Sequence, residues 1–175
     1  MYNLDNINEY IKQFSYKSLY YEYFKKLHKT TTSSKNHISY QSIDSFISKF
    51  NATIPPFYEF IYKKIDESNF NNEVELYKNA EIDRKRWSDL INNKCEHPKK
   101  DTLFKLAISL KLSIEDTDIL LATRGYCINH NLYRDKLLSY FFIDPDGRKI
   151  LNLNAVDRNI KINSILKERH QSPLY

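Results

Sequence analysis

The region from residue 74 to residue 121 constrains the fold most, because its apolar residues recur at helical spacing in short segments. A tight turn at residues 81–83 separates two of these segments. In the second segment Trp87, Leu90 and Ile91 follow the i, i+3, i+4 pattern of one helix face. The spacing therefore predicts two short helices joined by a tight turn and followed by a third, longer amphipathic helix.

The rest of the sequence also favours helices. Only two glycines occur in 175 residues, whereas a β-sandwich or an α/β nucleotide-binding fold normally needs more glycine at its turns. The chain contains neither G-x-G-x-x-G nor G-x-x-x-x-G-K-[ST], so the usual dinucleotide and phosphate cradles are excluded. A hydrophobic fraction of 41% is enough to bury a core. We therefore predict an all-α protein.

Five helices are predicted in the central region. The first two span residues 57–67 and 74–79. The next three are expected to begin at Asp83, Asp101 and Ser113, whose side chains are good N-caps.

Further boundaries follow from residue type. Gly125 is expected to close the fifth helix as its C′ residue. Residues 133–142 and 154–169 are predicted to be helical, with a turn at residues 144–147 between them and a frayed tail at residues 170–175. The residues predicted to be buried in all these helices are Phe57, Phe60, Ile61, Ile65, Val74, Tyr77, Ala80, Trp87, Leu90, Ile91, Leu103, Leu106, Ala107, Leu110, Ile119, Leu120, Leu137, Leu138, Phe141, Phe142, Val156, Ile160, Ile165 and Leu166.

The predicted domain organisation has three parts. Residues 1–54 form an N-terminal helical extension with an aromatic stripe, which we interpret as a packing surface. Pro55 and Pro56 cannot continue a helix and mark a boundary. Residues 55–128 form the central domain, and residues 129–175 form C-terminal helices that pack on it.

Residues 55–142 resemble bacterial helix-turn-helix modules of the Cro/repressor (XRE-like) type. The residues that carry the resemblance are the runs 75–85, 97–102, 106–117, 118–121 and 124–126. The resemblance implies a lambda-repressor-like domain of five helices, with extra N- and C-terminal helices in this chain. It also implies a DNA-binding transcriptional regulator.

If the module reads DNA, the helix that follows the tight turn is the recognition helix, and its first residues meet the base edges. With the apolar residues turned inward, Arg84, Lys85, Arg86 and Ser88 are the candidates for this contact. The candidate contacts to phosphate are Lys99, Lys100 and Lys105.

The overall charge suits an anionic partner only mildly. The chain has a formal net charge of +5, and residues 74–111 contain nine Lys or Arg against six Asp or Glu. The alternative is therefore a protein-binding adaptor or inhibitor module, of a phage-defence or toxin-related kind, that uses the same helices. A homodimer is a third expectation, because dimers commonly read palindromic sites with this fold.

No catalytic site, cofactor or metal site is predicted, so we expect a protein that is not an enzyme. Cys95, His97, Cys127 and His130 supply enough ligands for zinc, but the C-x-H spacing is poor and the pairs lie in separate loops. Neither a signal peptide nor a membrane-spanning run is evident, which predicts a cytoplasmic protein without a membrane partner.

Overall fold

The computed structural model describes residues 54–175, which form eight helices and no strand. The helices are α1 (Phe57–Asp66), α2 (Glu73–Asn79), α3 (Arg84–Ile91), α4 (Lys100–Ser109), α5 (Ile114–Ala122), α6 (Tyr133–Ile143), α7 (Pro145–Leu151) and α8 (Ala155–Glu168). The predicted all-α class is confirmed for this part of the chain. The helices and the aromatic stripe predicted before residue 54 lie outside the described residues.

Local capping explains most of the helix boundaries. The Asp83 carboxylate accepts a hydrogen bond from the Arg86 amide at 2.8 Å and begins α3. Ser113 caps α5 in the same way, as predicted. Gly125 adopts a φ of 74° after α5, and the Tyr126 amide donates to the Leu121 carbonyl at 3.0 Å, which confirms the predicted closure.

Two predicted boundaries are wrong. The N-cap of α4 is Lys99 rather than Asp101, and the Asp101 carboxylate lies inside the first turn, where it binds the Arg134 guanidinium at 2.8 Å. The predicted turn at residues 144–147 is instead the start of α7. Asp144 caps this helix and Pro145 occupies its first turn, where the missing N–H of proline costs nothing.

Gly147 explains why α7 can fold back so closely on α6. A Cβ atom at this position would lie 2.8 Å from the Cα of Phe141, which is closer than packed carbon atoms approach. The tight contact between α6 and α7 therefore requires a residue without a side chain.

One continuous core contains apolar residues from all eight helices. It includes most of the predicted positions, but Ile91 is only half-buried and four others are exposed: Val74 at 39%, Ile119 at 36%, Val156 at 66% and Ile160 at 64%. Helix periodicity alone does not fix which face turns inward, so the buried faces of α2, α5 and α8 match the predicted ones only in part. The residues buried there as predicted are Tyr77, Leu120, Ile165 and Leu166. The buried residues that were not predicted include Leu76 in α2, Thr117 and Leu121 in α5, and Arg158, Asn159 and Ile162 in α8.

The C-terminal helices pack against the central ones. α6 contacts both α4 and α5, and α7 contacts α6 and α8. The tail predicted to fray is held instead: the Asn163 side chain accepts from the Leu174 amide at 2.8 Å and donates to the Tyr175 carbonyl at 3.0 Å. None of the helices between residues 54 and 175 is both long and apolar enough to cross a bilayer.

Candidate nucleic-acid interface

The helix α3 is anchored by its inner face. Trp87 is 3% exposed and Leu90 is fully buried, as predicted. The Trp87 ring lies 5.9 Å from the ring of Tyr77 on α2, measured between centroids. These contacts fix the rotation of α3 about its axis, so the opposite face must point outward.

The turn between α2 and α3 is also fixed. Ala80 and Ile82 are buried, and the Ile82 amide donates to the Tyr77 carbonyl at 2.8 Å. Between them Glu81 has a φ of 50°, in the left-handed region that residues with a side chain seldom adopt. The angle between the two helices is therefore set by a short turn with two apolar anchors.

Four of the predicted site residues are exposed side chains of α3. Arg84, Lys85, Arg86 and Ser88 are all exposed. Within residues 54–175 no carboxylate forms an ion pair with the three cations. We name this set the α3 basic face. Within this part of the chain, its charges are in contact with water.

The three predicted phosphate contacts are placed differently from one another. Lys99 is exposed at the N-terminus of α4. Lys100 is partly buried and forms an ion pair with the buried Asp135 carboxylate, which also accepts from the Asn129 amide at 2.7 Å. The charge of Lys100 is therefore engaged within the protein.

Lys105 is also engaged. Its ammonium nitrogen lies 5.0 Å from the centroid of the Tyr175 ring. Burial lowers the pKa of Lys105, and the nearby charges of Glu81 and Arg86 act on it in opposite directions. Lys105 thus lies close to the start of α3, but its side chain packs against the tail.

Sequence reasoning missed Arg124, which holds the other end of α3. Its guanidinium donates to the Leu90 carbonyl at 2.6 Å and to the Asn93 side chain at 2.8 Å. The same group lies over the Phe57 ring at 4.3 Å. A cation at a helix C-terminus satisfies carbonyls that have no partner within the helix. Its position after α5 carries no local signal of this role.

A groove of about 520 Å³ lies between α1, α2 and α3, beside the α3 basic face. Arg84 and Ser88 line one side of it. On the other side the Tyr62 hydroxyl donates to the Glu73 carboxylate at 2.6 Å, and this hydrogen bond raises the pKa of Tyr62 to about 12. The groove was not predicted, although Tyr58 and Tyr62 share the outer face of α1 at a spacing of four residues.

The residues considered for zinc do not form a metal cluster. Cys95 is half-buried and Cys127 is exposed, and neither is in a disulfide. In the part of the chain from residue 54 onward, no three His, Cys, Asp or Glu side chains are close enough to share a metal ion.

The arrangement as a whole is a short helix fixed at both ends, packed through Trp87 and Leu90, and presenting three cations and a hydroxyl to solvent. Comparison of the chain with protein families, with curated proteins and with solved structures finds no match.

Proposed function

We propose that this protein binds DNA through the α3 basic face and acts as a transcriptional regulator of the helix-turn-helix type. In this proposal α1 to α5 form a lambda-repressor-like domain of residues 55–128, and residues 129–175 support it. The observation that carries the proposal is the set of three cations on α3 that have no acidic partner within the described residues.

The dimensions of α3 suit the major groove. A helix of eight residues is about 12 Å long and can place its first two turns against base edges. Arg84 can bond the O6 and N7 atoms of guanine with its two terminal nitrogens, and Ser88 can bond either a base or a phosphate. Lys99 is the best remaining candidate for a phosphate contact, because Lys100 and Lys105 are engaged within the chain.

The test compares two double variants that remove the same charge. Arg84→Ala with Lys85→Ala removes two cations from the α3 basic face, while Lys63→Ala with Lys167→Ala removes two exposed cations elsewhere. The wild type should be retained on fragmented genomic DNA and released steeply as salt rises, because bound phosphates release counterions. Only the first double variant should lose retention.

Equal retention of the first double variant and the wild type would rule out α3 as the reader. Sedimentation of the wild type with and without DNA measures the oligomeric state, since a dimer would read two half-sites about one helical turn apart.

A second candidate function is binding to a protein partner, as an adaptor or inhibitor module. It is favoured by four exposed apolar side chains, each between 39% and 42% exposed. They are Ile54 before α1, Tyr58 and Tyr62 on α1, and Val74 on α2. Glu73 and Glu75 in the first turn of α2 also place negative charge near the groove, which suits a protein better than a phosphate backbone.

This second candidate has its own test. Tyr58→Ala with Tyr62→Ala should abolish co-purification of a stoichiometric partner from the native cell, whereas Arg84→Ala with Lys85→Ala should leave it intact. If no partner co-purifies with the wild type, or if the tyrosine variant keeps its partner, these side chains are not a docking surface.

A further inference from the structure

A polar cluster with two buried members joins the C-terminal helix to the turn that precedes α3. Arg158 and Asn159 of α8 are 1% and 5% exposed, and they contact Asn79 and Glu81 at the end of α2 and in the turn. We name these four residues the polar latch. They are separated by nearly eighty positions in the sequence, so only tertiary folding brings them together.

Arg158 binds the C-terminal end of α2. One terminal nitrogen of its guanidinium donates to the Asn79 carbonyl at 3.2 Å and to the Asn79 side-chain oxygen at 2.7 Å. The last carbonyls of a helix have no partner within the helix and carry its negative dipole end, so a cation is favourable there.

The environment of Arg158 is costly for a charge. Burial lowers its pKa, and none of the ion pairs formed within residues 54–175 includes it. An apolar residue at this position would avoid the desolvation of the guanidinium. An apolar residue could not donate the hydrogen bonds by which the Arg158 guanidinium fixes α8 against the end of α2.

Asn159 holds the strained residue of the turn. Its side-chain amide donates to the Glu81 carboxylate at 2.8 Å, and Glu81 is the residue with the left-handed φ of 50°. A non-glycine residue keeps this conformation when its surroundings fix it. The next residue, Ile82, returns its amide to the Tyr77 carbonyl and leads directly into α3.

We propose that α8 sets the position of α3 through the polar latch, and that Arg158 and Asn159 are positioning residues for the DNA-reading helix. The contacts of α8 with the end of α2 and with the turn are observed directly in the structure. Their effect on DNA binding rests on the proposed function. The C-terminal region then positions the DNA-binding helix, although it contributes no residue to the α3 basic face.

The first experiment uses two variants at the exposed end of the latch. Glu81→Ala and Glu81→Gln remove the same charge and share the same left-handed backbone, but only the glutamine keeps an acceptor for Asn159. Hydrogen exchange of the Ile82 amide should be about fivefold faster in Glu81→Ala than in Glu81→Gln, the factor expected for one hydrogen bond. The Tyr126 amide, which bonds to Leu121 in a remote turn, is the internal control.

The second experiment strains the latch directly. Asn159→Asp places a carboxylate against Glu81, and the repulsion should displace the turn and weaken DNA binding about tenfold. Adding Glu81→Gln restores a donor and the wild-type net charge, so it should restore affinity. Val156→Asp adds the same charge to an exposed position of α8 and should change affinity much less.

Equal Ile82 exchange in the two Glu81 variants would overturn the latch, and so would equal affinity losses for Asn159→Asp and Val156→Asp. If the wild type does not bind DNA but Ile82 exchange still separates the Glu81 variants, the proposed function fails while the hold of α8 on the turn stands.

Discussion

Two arginines show how differently α3 and α8 use the same side chain. Arg84 on α3 is exposed and pairs with no carboxylate in residues 54–175, whereas Arg158 on α8 is almost fully buried and binds backbone and amide oxygens. A charge that stays in water has no desolvation cost and can contact a partner. A buried charge is costly and is tolerated where its hydrogen bonds fix structure. Exposed cations such as Arg84 can therefore bind a partner, whereas buried cations such as Arg158 fix the positions of helices.

The largest expected effect tests this comparison on stability. Arg158→Ala should lower the free energy of unfolding by about 3 kcal/mol, because it leaves a cavity and an unsatisfied helix end. Arg84→Ala should change it by less than about 0.5 kcal/mol, as is usual for exposed positions. Urea denaturation followed by circular dichroism measures both. Similar losses for the two variants would remove the distinction.

A second prediction concerns Asp135, the buried acid that pairs with Lys100. Asp135→Ala should cost about 2 kcal/mol, because it leaves the Lys100 ammonium and the Asn129 amide without their shared acceptor. Lys99→Ala, which removes a neighbouring but exposed cation, is the control and should be close to neutral. A neutral Asp135→Ala would mean that Lys100 is available to solvent after all.

A smaller effect is expected from pH. Burial lowers the pKa of His130 below its usual 6.5, against the opposing charge of Asp118. The unfolded chain then binds a proton more readily than the folded one, so stability should fall as pH drops from about 6.5 through the folded pKa. Denaturation midpoints of the wild type and His130→Gln between pH 7 and pH 5 measure this. A pH dependence unchanged by the substitution would exclude His130 as its source.

Asp118 should act in the opposite direction. Burial raises its pKa above 3.8, so its ionisation disfavours the folded state as pH rises through the folded value. Asp118→Asn keeps an oxygen that can accept from the Ile128 amide and removes the charge. We expect this variant to match or exceed wild-type stability at pH 7, and a clear loss in the same denaturation assay would contradict that view.

The smallest effects are expected at two residues that the helical pattern places in the core. Val156→Ala and Ile160→Ala should each change stability by less than about 0.5 kcal/mol, because both side chains are about two-thirds exposed. Ile162→Ala is the matched control on the buried face of α8 and should cost about 3 kcal/mol.

The error at Val156 and Ile160 shows where sequence reasoning stops. The limits of α8 were predicted well, because the cap at Asn154 is a local signal. Ile165 and Leu166 are buried as predicted. The rest of the buried face was not predicted, because Arg158 and Asn159 take inward positions that a hydrophobic pattern assigns to solvent. Their partners lie in α2 and the following turn, so no residue close to Arg158 or Asn159 in the sequence predicts those contacts.

The candidate site divides in the same way. The cap of α3 and the inward positions of Trp87 and Leu90 follow from neighbouring residues, so the α3 basic face could be predicted. The sequence pattern places Lys100 at the surface, and its ion pair with Asp135 forms only because α6 packs against α4. The role of Arg124, which satisfies a carbonyl of α3 from beyond α5, depends wholly on tertiary packing.

The indole of Trp87 has a practical consequence. It is the only tryptophan among 175 residues, it lies on the inner face of α3, and it is close to the ring of Tyr77. Tryptophan emission from the whole protein therefore originates at one helix, and tyrosine excitation can be transferred to it. A ligand that shifts this helix should change the emission wavelength or intensity of the unlabelled protein, so binding can be followed by intrinsic fluorescence without an attached dye.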